Sequence, residues 1–309
     1  MKLRRNHERS QQRRFSAIKL IIFIVMAVVF GFFGLRILDN LLTGPSKRPQ
    51  KSALRGQELN LGSDIAVRNF LPESTTGAVV HHSHYSLSYH EKYEQAEWVA
   101  YELTKKSLQL PNVPRAKRFE PDYAIETRSA FYRDYSGSGY DRGHLVPAAD
   151  MAFDLEAMQQ TFLMSNISPQ DRSFNAGVWN ELESAVRDWA YDNGSIYVVS
   201  GPVFSKGIKT RIGQNKVAVP NYFFKAVVDL TKPEHKSIAF LLPNELSTAP
   251  LSNYAISIDS LEEILGYNLF FKLMEPDQEE ALESQNDVRK WRIDPKRYQT
   301  RLNVWNKQR

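Results

Sequence analysis

The sequence predicts an α+β domain organised around an antiparallel or mixed sheet, and three observations lead to this prediction. Strand-like and helix-like segments follow one another without the regular alternation of a parallel βα fold. Neither of the two Gly-rich phosphate-binding motifs is present. The 309 residues are 42% hydrophobic and 12% aromatic, which is enough to fill the core of one large domain or two small ones.

The composition also excludes several kinds of functional site. The chain contains no cysteine, which excludes disulfides, zinc–thiolate sites and cysteine nucleophiles. The formal net charge is +5, a mildly basic balance that weakly favours polyanionic partners.

The N-terminus has the pattern of a membrane anchor. Residues 1–17 form a basic tail, and residues 1–19 contain seven Lys or Arg. Residues 18–38 then supply 21 positions, against the roughly 20 that a bilayer-spanning helix needs. A cleaved signal peptide is the main alternative, which the long apolar run and the poor cleavage site disfavour. The basic flank favours a cytoplasmic N-terminus.

This orientation places the rest of the chain outside the cytoplasm, as a single-pass protein. The expected location is a bacterial inner membrane, with the domain facing the periplasm or the exterior, and a mitochondrial inner membrane is the alternative. Residues 39–65 carry Gly, Pro, Ser and scattered charge without periodicity, which predicts a linker. The globular domain is expected to span residues 66–275.

Several segments of this domain carry a secondary-structure pattern. HYSLSY (84–89) alternates like a strand, whereas QAEWVAYEL (95–103) reads as an amphipathic helix. Residues 260–271 are predicted to start as a helix, with Ser260 as N-cap and Glu263 three residues later. Three further segments predict strands, at residues 196–204, 217–230 and 237–243.

Residues 276–309 form a charged, basic C-terminal tail. Its last 24 residues hold eight Lys or Arg against two Asp, with aromatics seven residues apart at Trp291, Tyr298 and Trp305. This pattern suits single-stranded nucleic acid. The favoured interpretation, however, is that the aromatics dock on the domain while the charges stay solvated. The acid-rich stretch 275–283 predicts a solvated helix.

The stretch SGYDRGHLVPAADM (138–151) contains the first candidate for catalysis. On an extended segment Arg142 and His144 point to the same face, and Gly143 between them permits close backbone approach. A neutral histidine can take a proton from water, and a guanidinium can stabilise charge on a phosphoryl group. Alone, such a pair more often serves structural hydrogen bonding.

A second cluster lies in FLMSNISPQDRSFNAGVWNELESAVRDWA (162–190). A helix is predicted to begin near Asn175, which would be buried at the head of its apolar stripe. Such an asparagine either caps the helix or offers an oxygen to a hard cation such as Mg²⁺. On a continuous helix, Glu183 would lie ~12 Å further along the axis and reach the metal only through water. Arg187 can pair with Glu183 or face a phosphate.

The ordered succession DRGHLVPAADM, SNISPQ and FNAGVWNELE resembles the DNA/RNA non-specific endonucleases, the ββα-metal family. The similarity runs from about residue 84 to about residue 273. It implies a ββα-metal nuclease fold with a central, mostly antiparallel sheet flanked by helices, here preceded by one transmembrane helix. The implied activity is Mg²⁺-dependent hydrolysis of DNA and RNA without strong sequence preference, with Mn²⁺ as a substitute metal and 5′-phosphate products.

The resemblance also implies a role for individual residues. His144 would be the general base that activates water, and Asn175 would be the sole direct protein ligand of one Mg²⁺. Glu183 would hold the water shell of the metal. The remaining expected residues are Arg142 and Arg187 for phosphate binding and stabilisation, Asn166 lining the site, and an upstream phosphate contact among Arg115, Lys117 and Arg118.

A catalytically weak nucleic-acid-binding envelope protein with the same fold is the alternative function, and the presence of the family's main catalytic residues disfavours it. DNA and RNA are the expected partners through their backbone phosphates, because no segment resembles a base-reading helix. The membrane is the other expected partner, through residues 18–38. The sequence is compatible with a homodimer and specifies no protein inhibitor.

Overall fold

The computed structural model describes residues 70–307, and within them the predicted α+β fold around an antiparallel sheet is confirmed. The strands are β1 Val79–His81, β2 Ser86–His90, β3 Gln95–Thr104, β4 Asp141–His144, β5 Ile167–Gln170, β6 Ser195–Val203, β7 Arg211–Ile212, β8 Val217–Ala218, β9 Tyr222–Asp229, β10 Lys236–Pro243 and β11 Ala255–Ile256. A seven-stranded sheet has the order β1-β2-β3-β6-β9-β10-β11. All of its neighbouring pairs are antiparallel. Strands β4 and β5 form a separate antiparallel pair, as do β7 and β8.

Helices cover the large sheet on both of its faces. The α-helical segments of the described residues are α1 Lys105–Leu108, α2 Leu155–Gln160, α3 Arg172–Phe174, α4 Asn180–Asn193, α5 Ile258–Leu265, α6 Pro276–Glu283 and α7 Pro295–Asn303. Alternate residues of the strands enter two separate apolar clusters. The first cluster includes Val99 and the apolar side of α4, and the second includes Trp98 and the apolar sides of α5 and α6.

The segment 95–103 is a strand, so the prediction of an amphipathic helix was wrong. β3 lies in the middle of the sheet, between β2 and β6. A strand that is covered on both faces lacks the apolar–polar alternation of a half-exposed strand. Two of its polar residues are buried and hydrogen-bonded: Gln95 donates to the Ala218 carbonyl, and Glu97 accepts from Ser88.

Two other predicted elements differ at their ends. α5 begins at Ile258, and its N-cap is Ser257, whose side chain accepts from the Ser260 N–H. The predicted strand 217–230 is two strands, β8 and β9, separated by Pro220.

The predicted basic tail, the membrane-spanning segment 18–38 and the linker 39–65 lie outside the described residues. Between residues 70 and 307, no helix has both the length and the apolar character needed to cross a membrane.

The C-terminal segment docks on the domain, as the favoured interpretation predicted for its aromatics. Trp291 is buried, and its ring lies 4.9 Å from that of Trp189 on α4. Tyr298 donates its hydroxyl hydrogen to a backbone carbonyl of the domain. One charge is not solvated as predicted, because Arg301 of α7 is fully buried and pairs with Glu181 of α4.

The acid-rich helix α6 is also less solvated than predicted. Its last two residues, Leu282 and Glu283, are buried, and α6 packs against β10.

Candidate active site

Strand β4 carries Arg142 and His144 on one face, as the alternation of an extended segment predicts. Its partner β5 places Pro169 opposite Arg142 and Ile167 opposite His144. The glycine between them is required by packing, because a Cβ at Gly143 would lie 2.1 Å from the Gln170 side chain. The motif therefore folds as a tight strand pair that presents the arginine and the histidine together.

His144 is held in an aromatic environment. Its ring lies 4.9 Å from that of Phe162 and 5.7 Å from that of Phe119. Its carbonyl accepts a hydrogen bond from the Trp179 indole at 3.2 Å. The Nε2 atom is buried, and no residue in the described range 70–307 hydrogen-bonds to it. Burial, with a smaller contribution from Arg115, lowers the pKa of His144 to about 3, so the imidazole is neutral at physiological pH.

Arg142 is held by residues of the segment that precedes β4. Its guanidinium donates to the Tyr132 carbonyl at 3.0 Å and to Ser136 Oγ at 3.3 Å. It also lies 5.7 Å from the ring of Phe119, which contacts His144 as well. The two side chains are thus positioned against a common aromatic ring.

The helix around Asn175 begins earlier than predicted. α3 starts at Arg172, and Asp171 is its N-cap, accepting from the backbone N–H groups of Ser173 and Phe174. Asn175 therefore does not cap the helix. It begins a π-helical turn, Asn175–Trp179, and is half-buried rather than buried.

The π-helical turn changes the geometry between Asn175 and Glu183. Gly177 has non-helical backbone angles, φ −98° and ψ −108°, so the helix is interrupted there before α4 begins. The sequence predicted ~12 Å of helical rise between Asn175 and Glu183, on the assumption of a continuous helix. Because the helix is interrupted at Gly177, this distance does not apply. Single-turn π insertions often occur at functional sites.

The amide of Asn175 is oriented by Asp141. Asn175 Nδ2 donates to Asp141 Oδ2 at 3.0 Å, which joins the π-helical turn to the first residue of β4. With the nitrogen committed to this carboxylate, the amide oxygen is turned away from it.

Glu183 belongs to a partly buried group of two acids and two bases, here called the balanced cluster: Asp150, Glu183, Arg187 and Lys225. Arg187 Nη1 donates to Asp150 Oδ1 at 2.9 Å, so the arginine pairs with Asp150. Lys225 is fully buried on β9, and its ammonium lies 4.6 Å from the ring centre of Trp179. Burial raises the pKa of Glu183 and lowers that of Lys225, while the opposite charges of the pair counter both shifts.

Asn166 does not line an open site as expected. It is fully buried, and its amide is used by the backbone. Its Oδ1 accepts from the Val146 N–H, and its Nδ2 donates to the carbonyls of Val146 and Thr161. The residue fixes the chain that follows His144 and has no contact to offer a substrate.

Of the three upstream basic residues, the structure brings Arg115 next to His144. The Arg115 guanidinium lies 5.0 Å from the Phe162 ring, which also contacts His144, and its charge acts on both His144 and Glu183. An open groove of about 1500 Å³ continues from Arg142. Its basic lining residues are Lys117, Arg118, Arg133, Arg142 and Arg211.

Sequence reasoning missed three residues of this site: Asp141, Asp150 and Lys225. Asp150 lies in an otherwise apolar stretch, LVPAADMA, and Lys225 lies in the apolar strand FFKAVV. A lone charge within an apolar run is a signal for a buried, paired group. Asp141 carried no such signal, because its role depends on a contact to Asn175, 34 residues away.

The sequence of this chain matches a known protein family and individual proteins. The family model described as DNA/RNA non-specific endonuclease matches residues 63–275. The chain belongs to this family. The endonuclease is 34% identical over 255 residues to a nuclease of Syncephalastrum racemosum, a match that covers 75% of this chain and 77% of the fungal one.

Animal relatives show a similar level of identity. The endonuclease is 31% identical to the human mitochondrial nuclease EXOG, covering 71% of this chain and 64% of EXOG. It is 34% identical to the mitochondrial endonuclease G of Caenorhabditis elegans, covering 60% of this chain and 66% of that protein. Among solved structures, it resembles one from the EndoG/EndoGI complex, with a TM-score of 0.59 and 33% identity, covering 65% of this chain and 88% of that one.

Proposed function

We propose that this endonuclease hydrolyses DNA and RNA in a Mg²⁺-dependent reaction, with His144 as general base and Asn175 as the direct protein ligand of one metal ion. The observation that carries the proposal is that one strand presents the imidazole of His144, whose Nε2 has no hydrogen-bond partner among residues 70–307, together with the anchored guanidinium of Arg142. The chemistry needs both a proton acceptor and a cation at the phosphate.

The residues near Asn175 fit a hard cation. The amide nitrogen of Asn175 is committed to Asp141, which leaves its oxygen as the available donor. Amide and carboxylate oxygens are the ligands that Mg²⁺ takes, usually few in number because the ion retains water. When bound, Mg²⁺ supplies positive charge to the phosphate and to the leaving oxygen. Manganese is expected to substitute, because it accepts the same ligands.

Each of the other steps is assigned to a side chain of the endonuclease. His144 accepts the proton of the attacking water as the water oxygen bonds to phosphorus; the P–O3′ bond breaks, the 3′-oxygen leaves and takes a proton from solvent, and the products end in a 3′-hydroxyl and a 5′-phosphate. Arg142 and Arg187 bind the phosphate, and Arg115 is the upstream contact. Arg187 is held for this role by Asp150. Glu183 acts on the metal indirectly, and Arg118 binds phosphates further along the groove.

This arrangement explains a lack of sequence preference. The basic groove offers guanidinium and ammonium groups, which contact phosphates and carry no base information. A catalytically weak nucleic-acid-binding protein would use the same groove. Turnover therefore distinguishes the two functions.

The deciding experiment compares wild type, His144→Ala and His235→Ala for cleavage and for DNA binding, with Mg²⁺ and with EDTA. His235 is exposed and serves as the matched control. His144→Ala should lose about 10²–10⁴-fold in cleavage rate while still binding DNA, because base catalysis contributes that much. Near-wild-type cleavage by His144→Ala, or wild-type cleavage in EDTA, would contradict the proposal.

We also propose that residues 18–38 anchor the endonuclease in a membrane with its domain on the non-cytoplasmic side. The basic flank of residues 1–17 supports this orientation. A reporter that fluoresces only in the cytoplasm should stay dark when fused to the C-terminus, whereas a reporter active only after export should work. The opposite pair of results would reverse the proposed topology.

A further inference from the structure

Three carboxylates meet on the face of the sheet away from His144. Asp259 and Glu262 lie on α5, and Glu283 ends α6. One oxygen of each lies within 4.8 Å of the other two. Both helices pack in the second apolar cluster, whereas the residues that follow His144 belong to the first. The group is therefore separate from the active site.

One of these carboxylates is buried without a partner. Glu283 is only 3% exposed, and none of the residues 70–307 hydrogen-bonds to its Oε1. An unpaired polar atom in such a position costs about 1–3 kcal/mol, and more when it is charged. Native structures rarely leave such a group unsatisfied.

The electrostatic surroundings of Glu283 are uniformly acidic. After burial itself, the groups that raise its pKa are Glu262, Glu279 and Asp259. Within the described part of the chain, no ion pair links any of the three cluster carboxylates to a lysine, arginine or histidine. The protein thus supplies the negative charges of this site without a positive one.

We propose that Asp259, Glu262 and Glu283 bind a structural Ca²⁺ ion that ties α5 to α6. The donor set is all oxygen, which favours a hard cation and disfavours zinc. Calcium takes ligands at about 2.3–2.6 Å, so two oxygens across the ion can be separated by up to about 5 Å. The cluster spans no more than 4.8 Å. Glu262 is already positioned, because its Oε1 accepts from the Leu269 N–H at 2.7 Å.

The test measures thermal unfolding of the full-length chain after removal of metal with EDTA and titration with Ca²⁺. The background is Asn175→Ala, which removes the proposed active-site ligand and leaves any remaining effect to the second site. The midpoint should rise by about 5 °C or more when Ca²⁺ exceeds its dissociation constant by roughly 100-fold. Calorimetric titration of the same protein should give one bound Ca²⁺.

Two added substitutions locate the site. Glu283→Gln in this background should abolish the rise, whereas Glu280→Gln, an exposed position on the same helix, should retain it. Asp259→Asn provides a second, less buried variant if Glu283→Gln does not fold. The proposal is overturned if Ca²⁺ leaves the midpoint of Asn175→Ala unchanged, or if the Glu283→Gln and Asp259→Asn variants respond like the control.

Discussion

The two partly buried charge clusters of this endonuclease lie on opposite faces of the same sheet and are built differently. The balanced cluster combines Asp150 and Glu183 with Arg187 and Lys225. The acidic cluster of Asp259, Glu262 and Glu283 has no base among its described neighbours. Burial raises the pKa of a carboxyl group in both, but only the balanced cluster offsets it with opposite charge.

The difference lies in how each cluster compensates its negative charge. In the balanced cluster the protein's own bases compensate the acids, and Arg187 is paired with Asp150. In the acidic cluster the compensation must come from protonation or from an added cation. Removing one charge should therefore harm the first cluster and relieve the second.

The largest effect is expected from Lys225→Met. The substitution keeps a side chain of similar length but leaves Asp150 and Glu183 with Arg187 as their only base in the cluster. Lys225 acts on both acids through its charge, and removing the opposing charge from buried acids typically costs about 3–5 kcal/mol. The free energy of unfolding, measured by urea denaturation, should fall by that amount.

Lys209→Met is the matched control, because Lys209 is exposed. Its unfolding free energy should stay within about 0.5 kcal/mol of wild type. A Lys225→Met protein as stable as this control would show that Lys225 does not compensate the two acids.

A smaller effect is expected from Glu183→Gln, which removes an acid from the balanced cluster but leaves a polar side chain. A residue that acts on a metal indirectly usually contributes about 10–100-fold in affinity or activity. Glu183→Gln should therefore need more Mg²⁺ but recover part of its rate when supplied with it. Asn175→Ala, which removes the proposed direct ligand, should be almost inactive at any practical concentration.

Magnesium titrations of the cleavage rate compare the two variants. Rescue of Asn175→Ala by Mg²⁺, together with failure to rescue Glu183→Gln, would reverse the two assignments. The titrations are needed because the helix is interrupted at Gly177. The helical rise can therefore not be used to assign Asn175 and Glu183 to direct and indirect roles at the metal.

The parts of the site that depend on local geometry were predictable from sequence. Arg142 and His144 share a face because strand alternation is set by neighbouring residues. The strand β3 was not predictable as such, because burial on both faces removes that alternation. The early helix start at Arg172 was signalled by Asp171, a residue type well suited to capping.

The contacts that complete the site depend on topology, which single-sequence patterns do not contain. Lys225 reaches the balanced cluster only because β9 lies in the sheet beneath α4. The acidic cluster likewise requires α5 and α6 to meet on one face of that sheet. The sequence predicted that the acid-rich helix α6 would be solvated. This prediction was wrong for Glu283, which is buried because α6 packs against β10, a contact that the sequence does not reveal.

The last effect is expected from Glu283→Gln in metal-free protein, and its sign is opposite to that of Lys225→Met. Burial and neighbouring carboxylates raise the pKa of Glu283 to about 8. In the unfolded chain the same group has a pKa near 4.3. The folded state therefore binds the extra proton, so this stability is present below about pH 4.3 and is lost as pH rises through about 8. Glutamine keeps the shape, carries no charge, and can donate to Glu262 or Asp259.

The variant should accordingly be more stable than wild type at pH 8 in EDTA, by roughly 1.4 kcal/mol for each unit by which the fold raises the pKa of Glu283. The gain should disappear at about pH 4 and below, where the carboxyl group of wild-type Glu283 is protonated in both the folded and the unfolded chain. Urea denaturation at both pH values measures it, with Glu280→Gln as the exposed control on the same helix. If Glu283→Gln were less stable than wild type at pH 8, Glu283 would have to be compensated by a positive group. The two clusters would then not differ in whether they contain a base.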